Sequence, residues 1–198
     1  MSSLKAKPKI KIVHLLLDPN DPQDIPLEAW SSNMEKQRRS VELFSRIAHH
    51  FHAYTQIYNR VNRTEVPSEG CADPDIINLS KDLIKSPPVL SYGHYGAYRA
   101  HSQAILNEFS EDIDCLIVVE GDVLFELVDD DAVRQIYKSY EFMDVMGGHI
   151  LTFGAVKYGT ASRASMYDTS TDHGDWKRID HFLCAHCYMI MRSERTRI

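Results

Sequence analysis

The apolar and polar positions divide the chain into alternating strand-like and helix-like segments. Lys9 to Leu17 (KIKIVHLLL) alternates and then turns continuously apolar, the pattern of a first, central strand. Asp18-Pro19-Asn20-Asp21-Pro22 breaks it, and the stretch to Pro26 reads as loop. From about Asn33 to Phe51, Met34, Val41, Leu43, Phe44, Ile47, Ala48 and Phe51 recur at helical spacing, with Glu35, Lys36, Arg38, Arg39, Glu42 and Arg46 between them. That is an amphipathic helix. Ala53 to Val61 is β-rich and alternates, so it is predicted as a second strand. Strand, helix, strand implies a right-handed crossover with parallel strands.

Farther on, residues 63–74 read as loop, and residues 75–85 as a short helix stopped by Pro87-Pro88. Tyr95 to Phe109 is a second strong helix, with Gly93 and Gly96 at its start. Cys115-Leu116-Ile117-Val118-Val119 is a buried-strand run that ends abruptly in Glu120-Gly121-Asp122. Asp129 to Ser139 reads as helix. Asp144 to Phe153 reads as containing strand, with a bend at Gly147-Gly148. Residues 154–180 are polar and irregular, a loop over the site, and His186 to Met191 is the last strand. There is no internal repeat. The expected architecture is a single α/β domain over residues 1–198, ending early after its last strand.

Composition narrows the choice of partners. A net charge of -6 opposes a general nucleic-acid binder, which needs a basic surplus to meet phosphates. The four cysteines, Cys71, Cys115, Cys184 and Cys187, form no disulfide framework, which favours a reducing compartment. No signal-peptide pattern opens the chain and no apolar run reaches membrane-span length. The expectation is a cytoplasmic protein, soluble or membrane-peripheral.

The chemistry concentrates at the end of the 115–119 strand. Two carboxylates one residue apart are costly beside a core unless a divalent cation or polar ligand sits there. In open α/β sheets, ligands bind outside the carboxyl ends of the strands. The plainer alternative is that Glu120-Gly121-Asp122 is only a polar turn. His186 is the best-placed third metal ligand, with His181 second; the alternative for His186 is a packed or surface histidine. Arg99 lies one turn after Gly96, near a helix N-terminus that favours anions. A zinc site is a rival, since His181, Cys184, His186 and Cys187 crowd into seven residues, but Cys71 is too distant to complete a set. The cluster His49-His50-x-His52 ends a helix, where cations suit the dipole, so it reads as capping.

The order of elements, the glycine-bearing helix start and the acid-x-acid strand end together resemble the GT-A (Rossmann-like) fold of nucleotide-sugar glycosyltransferases. The family most similar is glycosyltransferase family 25, which includes lipopolysaccharide and collagen galactosyltransferases. Three stretches carry the resemblance. Gly93-His94-Tyr95-Gly96-Ala97-Tyr98-Arg99-Ala100-His101 matches a Gly-x-x-Gly-(small)-x-x-Ser-His pattern, with Ala100 in place of serine. Glu120-Gly121-Asp122-Val123 matches Glu-Asp-Asp followed by an apolar residue, with the middle acid missing. Cys187-Tyr188-Met189-Ile190-Met191-Arg192-Ser193 matches a later strand.

The resemblance implies a mixed, mostly parallel sheet flanked by helices. It also implies a metal-dependent transfer of a hexose, such as galactose, from a UDP-sugar to a glycan or glycoconjugate acceptor, with Mn²⁺ or Mg²⁺ as cofactor. Asp122 would ligate the metal and serve the reaction directly, and Glu120 would contact metal or nucleotide. His14 to Asp18, with Arg99 or Arg60, would hold the nucleotide, and His101 would line the site. Gly121 would let a ligand approach the backbone closely. An inverting reaction would need a base, for which Asp172, Asp175 and Asp180 are the candidates; retention stays open. The alternatives are a catalytically silent GT-A-like binding domain and another metal-dependent enzyme, such as a phosphoesterase or nuclease.

Overall fold

The computed structural model describes residues 7–20, 22, 26–58, 92–123, 129–153 and 186–192. Its elements are β1 (Ile10–Leu16), α1 (Leu27–Ile47), a 3-10 turn (Ala48–His50), β2 (Ala53–Tyr58), α2 (Tyr92–Glu108), β3 (Cys115–Glu120), α3 (Asp129–Met146), β4 (Ile150–Thr152) and β5 (Cys187–Met191). The strands form one mixed sheet in the order β2-β1-β3-β5-β4. β1 runs parallel to β2 and β3, whereas β5 runs antiparallel to β3 and to β4. Parallel pairings therefore do not predominate among the described strands: two are parallel and two antiparallel. The α/β class and the parallel β1–α1–β2 crossover agree with the expectation from the sequence.

Side-chain alternation along each strand assigns the two faces. Ile10 and Ile12 of β1, Cys115, Ile117 and Val119 of β3, and Cys187, Met189 and Met191 of β5 pack against Phe44 and Ile47 of α1 and against Ala132, Val133, Ile136 and Met143 of α3. The opposite face takes Val13, Leu15, Leu116, Val118, Tyr188 and Ile190, covered by Ala100 and Ala104 of α2 together with Phe109 and Ile113. Phe44 and Phe109 are fully buried, one on each face. Burying a side chain of that size contributes roughly 1.5–3 kcal/mol.

Two helix boundaries differ markedly from those predicted. α1 begins at Leu27, directly after Pro26, rather than near Asn33. Its first turn has one buried anchor, Trp30, while Leu27 is exposed, so the apolar period is thin there. α3 continues to Met146, through residues read as strand, because Met143 is buried in the core. Gly147, at φ 61°, then ends it in the left-handed region that glycine adopts without steric cost. β2 is described to Tyr58; the 59–61 end of the predicted strand, the 63–74 loop, the 75–85 helix and the 154–180 loop lie outside the described residues. None of the described helices is long and apolar enough to cross a membrane.

Candidate metal centre

β3 is buried from Cys115 to Val119 and emerges from the core at Glu120. The face that carries Leu116 and Val118 onto α2 continues, two residues on, as Glu120. The antiparallel turn-back of β5 then brings the start of that strand to the end of β3. Val119 stands opposite Cys187, and the Glu120 N–H donates to the His186 carbonyl at 2.7 Å. His186 and Tyr188, two residues apart, share the face that meets α2. Ala100 and Ala104 seat α2 against the sheet, and His101 lies between them.

These elements assemble one hydrogen-bonded chain. Tyr188 Oη lies 2.8 Å from His101 Nδ1, with the two rings stacked at 5.5 Å between centroids. His101 Nε2 lies 2.9 Å from Glu120 Oε1. Glu120 Oε2 pairs with His186 Nδ1. His186 Nδ1 also stands 3.7 Å from Asp122 Oδ1. Exposure rises along the chain, from 16% for the His101 side chain and 26% for Glu120 to 40% for His186 and 48% for Asp122, so the cluster opens to solvent at its Asp122 end.

Burial pushes the Glu120 carboxyl up, but hydrogen bonds and charge from His101 and His186 outweigh it, and the net shift is downward. The carboxylate is thus the favoured form. Tyr188 moves the other way: burial first, then the nearby Glu120 charge, raise its phenol.

Glu120, Asp122 and His186 each offer one ligand atom within 4.8 Å of the others, and they are the one such group among the described residues. An ion bound at roughly 2.0–2.2 Å needs donors about 3–4.4 Å apart. The 4.8 Å spread lies close to that range, and Asp122 and His186 are only half-buried. Two carboxylates and an imidazole form a mixed hard and borderline set suited to Mn²⁺ or Zn²⁺; Mg²⁺ prefers oxygen alone. Three protein ligands leave the remaining positions to water or phosphate oxygens. The residues fit a divalent cation.

Other expected site residues fall differently. His14 is fully buried, not open to a nucleotide. Its Nδ1 hydrogen-bonds Tyr54 Oη at 2.8 Å and its Nε2 hydrogen-bonds Ser40 Oγ at 3.0 Å. Its side chain follows Ile10 and Ile12 onto the α1 face, and this corrects its assignment to cofactor contact. Both His101 ring nitrogens are used by Tyr188 and Glu120, so it supports the carboxylate. Asp18 follows β1 and accepts from the Asn20 N–H at 2.9 Å. Arg99 lies partly buried on α2, two residues before His101. Arg60, Asp172, Asp175, Asp180, His181, Cys71 and Cys184 lie outside the described residues. Cys187 is buried on the face opposite Tyr188, packed among apolar side chains. In the histidine cluster, the His50 carbonyl accepts from Lys7 Nζ and Tyr137 Oη.

Gly121 is closely packed by α1 and β1. A Cβ there would stand 2.8 Å from Gln37 Oε1 and 3.1 Å from the Leu15 carbonyl. Gln37 is a buried residue of α1 whose amide grips Leu17, accepting from its N–H at 2.7 Å and donating to its carbonyl at 2.9 Å. It thereby ties the loop after β1 to α1 and lies against the turn after β3, where the Val123 N–H donates to the Glu120 carbonyl at 3.2 Å. Gly121→Ala is expected to displace that amide and cost about 1–3 kcal/mol. Urea unfolding measures it, and a loss under about 0.5 kcal/mol, the ordinary scatter of surface changes, would refute the packing role.

Tyr188, Gln37, Ser40 and Tyr54 were not singled out from the sequence. The two-residue spacing of His186 and Tyr188 on a strand was the signal for the first. Polar residues at core-facing positions of an amphipathic helix were the signal for Gln37 and Ser40. The chain matches no protein-family model, no curated protein and no solved structure.

Proposed function

We propose that the chain is a GT-A-type, divalent-cation-dependent glycosyltransferase that moves a hexose from a UDP-sugar to a glycan or glycoconjugate acceptor. One observation carries the reading. The three stretches that resemble family 25 are far apart in sequence, yet each contributes to one cluster: His101 from the first, Glu120 and Asp122 from the second, Tyr188 from the third. The cluster stands at the carboxyl end of β3, in the interior of the sheet, where α/β folds bind ligands.

Glu120, Asp122 and His186 would hold Mn²⁺ or Mg²⁺, with the donor set favouring Mn²⁺. A bound divalent cation offsets the charge that builds on the diphosphate leaving group as the glycosidic bond breaks. Asp122, the most exposed of the three, faces the incoming donor. His101 and Tyr188 hold Glu120 from the buried side. The acceptor base is sought among Asp172, Asp175 and Asp180.

Calorimetric titration with UDP, with and without Mn²⁺, tests this. Binding to the wild type is expected to require Mn²⁺, and Asp122→Asn is expected to weaken it by at least about tenfold, since it removes a negative charge that would ligate the cation directly. UDP binding indifferent to Mn²⁺ and to Asp122→Asn would sink the cation-bridged site. A second reading is a silent domain of the same fold. It is favoured by Glu120 already having a protein partner on each oxygen. Mn²⁺-dependent UDP binding without turnover across a panel of UDP-sugars would select it.

A further inference from the structure

Glu120 is a flexible side chain whose two oxygens have different surroundings. Oε1 faces inward to His101 Nε2 at 2.9 Å, and Oε2 faces His186 and the open end. Behind His101 stands Tyr188, 6% exposed, with its hydroxyl 2.8 Å from Nδ1 and its ring stacked on the imidazole. The Glu120 carboxylate only accepts, so the ring nitrogen facing it, Nε2, carries a proton directed at Oε1. In the opposite neutral tautomer two lone pairs would face each other there. A neutral ring then offers its bare Nδ1 to the Tyr188 O–H, and the hydrogen-bond chain runs from Tyr188 through His101 to Glu120.

Resting on the cation reading above, we infer that Tyr188 and His101 are a positioning pair that fixes Glu120 through Oε1, so that Oε2 alone is presented to a divalent cation beside Asp122 and His186. The usual outer-shell arrangement has a carboxylate orienting a ligating histidine. Here the polarity is reversed: a histidine orients a ligating carboxylate, and a tyrosine stacks on the histidine and hydrogen-bonds it from behind. The arrangement needs neither residue to touch the cation. It also accounts for a polar tyrosine on a face otherwise lined by Val118, Ile190 and Leu116.

Two measurements on the full chain test the pair. Mn²⁺ affinity is read from the electron-spin-resonance signal of free Mn²⁺, and the hydrogen bond at His101 Nδ1 from ring ¹⁵N shifts in EDTA. Tyr188→Phe keeps the ring and its stacking but lacks the hydroxyl. It is expected to weaken Mn²⁺ binding about 10–100-fold, the range for outer-shell partners, and to move the Nδ1 shift to that of an unbonded nitrogen while Nε2 keeps its proton. His101→Leu is expected to weaken binding as much. His101→Gln, whose amide can still donate toward Oε1, is expected to recover most of it, which loss of packing alone does not predict. Wild-type Mn²⁺ affinity in Tyr188→Phe and His101→Leu, or an unchanged Nδ1 shift in Tyr188→Phe, would overturn the pair while leaving the cation site standing. Failure of the wild type to bind Mn²⁺ would overturn the cation site itself, and the role assigned to the pair with it.

Discussion

A Glu120→Gln protein is expected to stay folded and to lose Mn²⁺ binding by more than the roughly 10–100-fold typical of an outer-shell change. Glutamine keeps the shape of the side chain, and its amide oxygen can still accept from His101 Nε2. The outer atom becomes an NH₂ group, which cannot ligate a cation and cannot accept from His186 Nδ1. His186 can meet it by changing tautomer, and at 40% exposure it can also turn to water. The fold is therefore spared while the cation loses both a charge and a ligand. Glu120→Ala is a harsher change, because it leaves the mostly buried His101 without its partner, so its thermal midpoint should fall below that of the glutamine variant. Manganese titration followed by UDP titration reads the effect. Near-wild-type Mn²⁺ affinity in Glu120→Gln would mean that the cluster at the end of β3 is a structural hydrogen-bond network and not a cation site.

The parts of this site that could be read from sequence are those governed by local pattern. An apolar run ending in two acids marks a buried strand that surfaces at polar residues, and β3 does so at Glu120. Glycine-containing helix α2 and strand β5 were legible for the same reason. Strand direction was not. Whether β5 returns antiparallel beside β3 depends on the chain between Phe153 and His186, and no local pattern in β5 encodes it. Yet that direction brings His186 to Glu120 and Tyr188 to His101. His14 was misread because a histidine near the end of an apolar strand resembles a site residue. Its role depends on Ser40 and Tyr54, which reach it from α1 and β2. The packing at Gly121 was out of reach in the same way: the missing side chain makes room for Gln37, a residue 84 positions earlier in the chain.

The largest pH effect on folding below neutrality is expected from His14. Burial lowers its pKa from 6.5 to about 4, with the neighbouring Glu120 backbone pushing partly the other way. The folded protein keeps this ring neutral where the unfolded chain protonates it. Between pH 6.5 and about 4 the unfolded state binds more protons, so stability rises with pH across that window. The contribution is fully present above pH 6.5 and is lost as pH falls toward 4. At about 1.4 kcal/mol per pH unit of displacement, the loss is about 3 kcal/mol, a large fraction of the roughly 5–15 kcal/mol that holds a typical domain together. The surface pairs of α1, such as Glu35 with Arg38 and Arg39, are solvent-screened and add little to the slope. His14→Gln separates this contribution from every other titrating group. The variant is expected to be less stable at pH 7, because Tyr54 and Ser40 lose a matched partner. Its stability should then depend on pH between 6.5 and 4 less steeply than the wild type's, by an amount approaching about 1.4 kcal/mol per pH unit in mid-window. Guanidinium unfolding at half-unit pH steps measures both. Parallel curves for the two proteins would mean that the ring takes up its proton without leaving the fold, and that the buried Tyr54–His14–Ser40 network accommodates the charge.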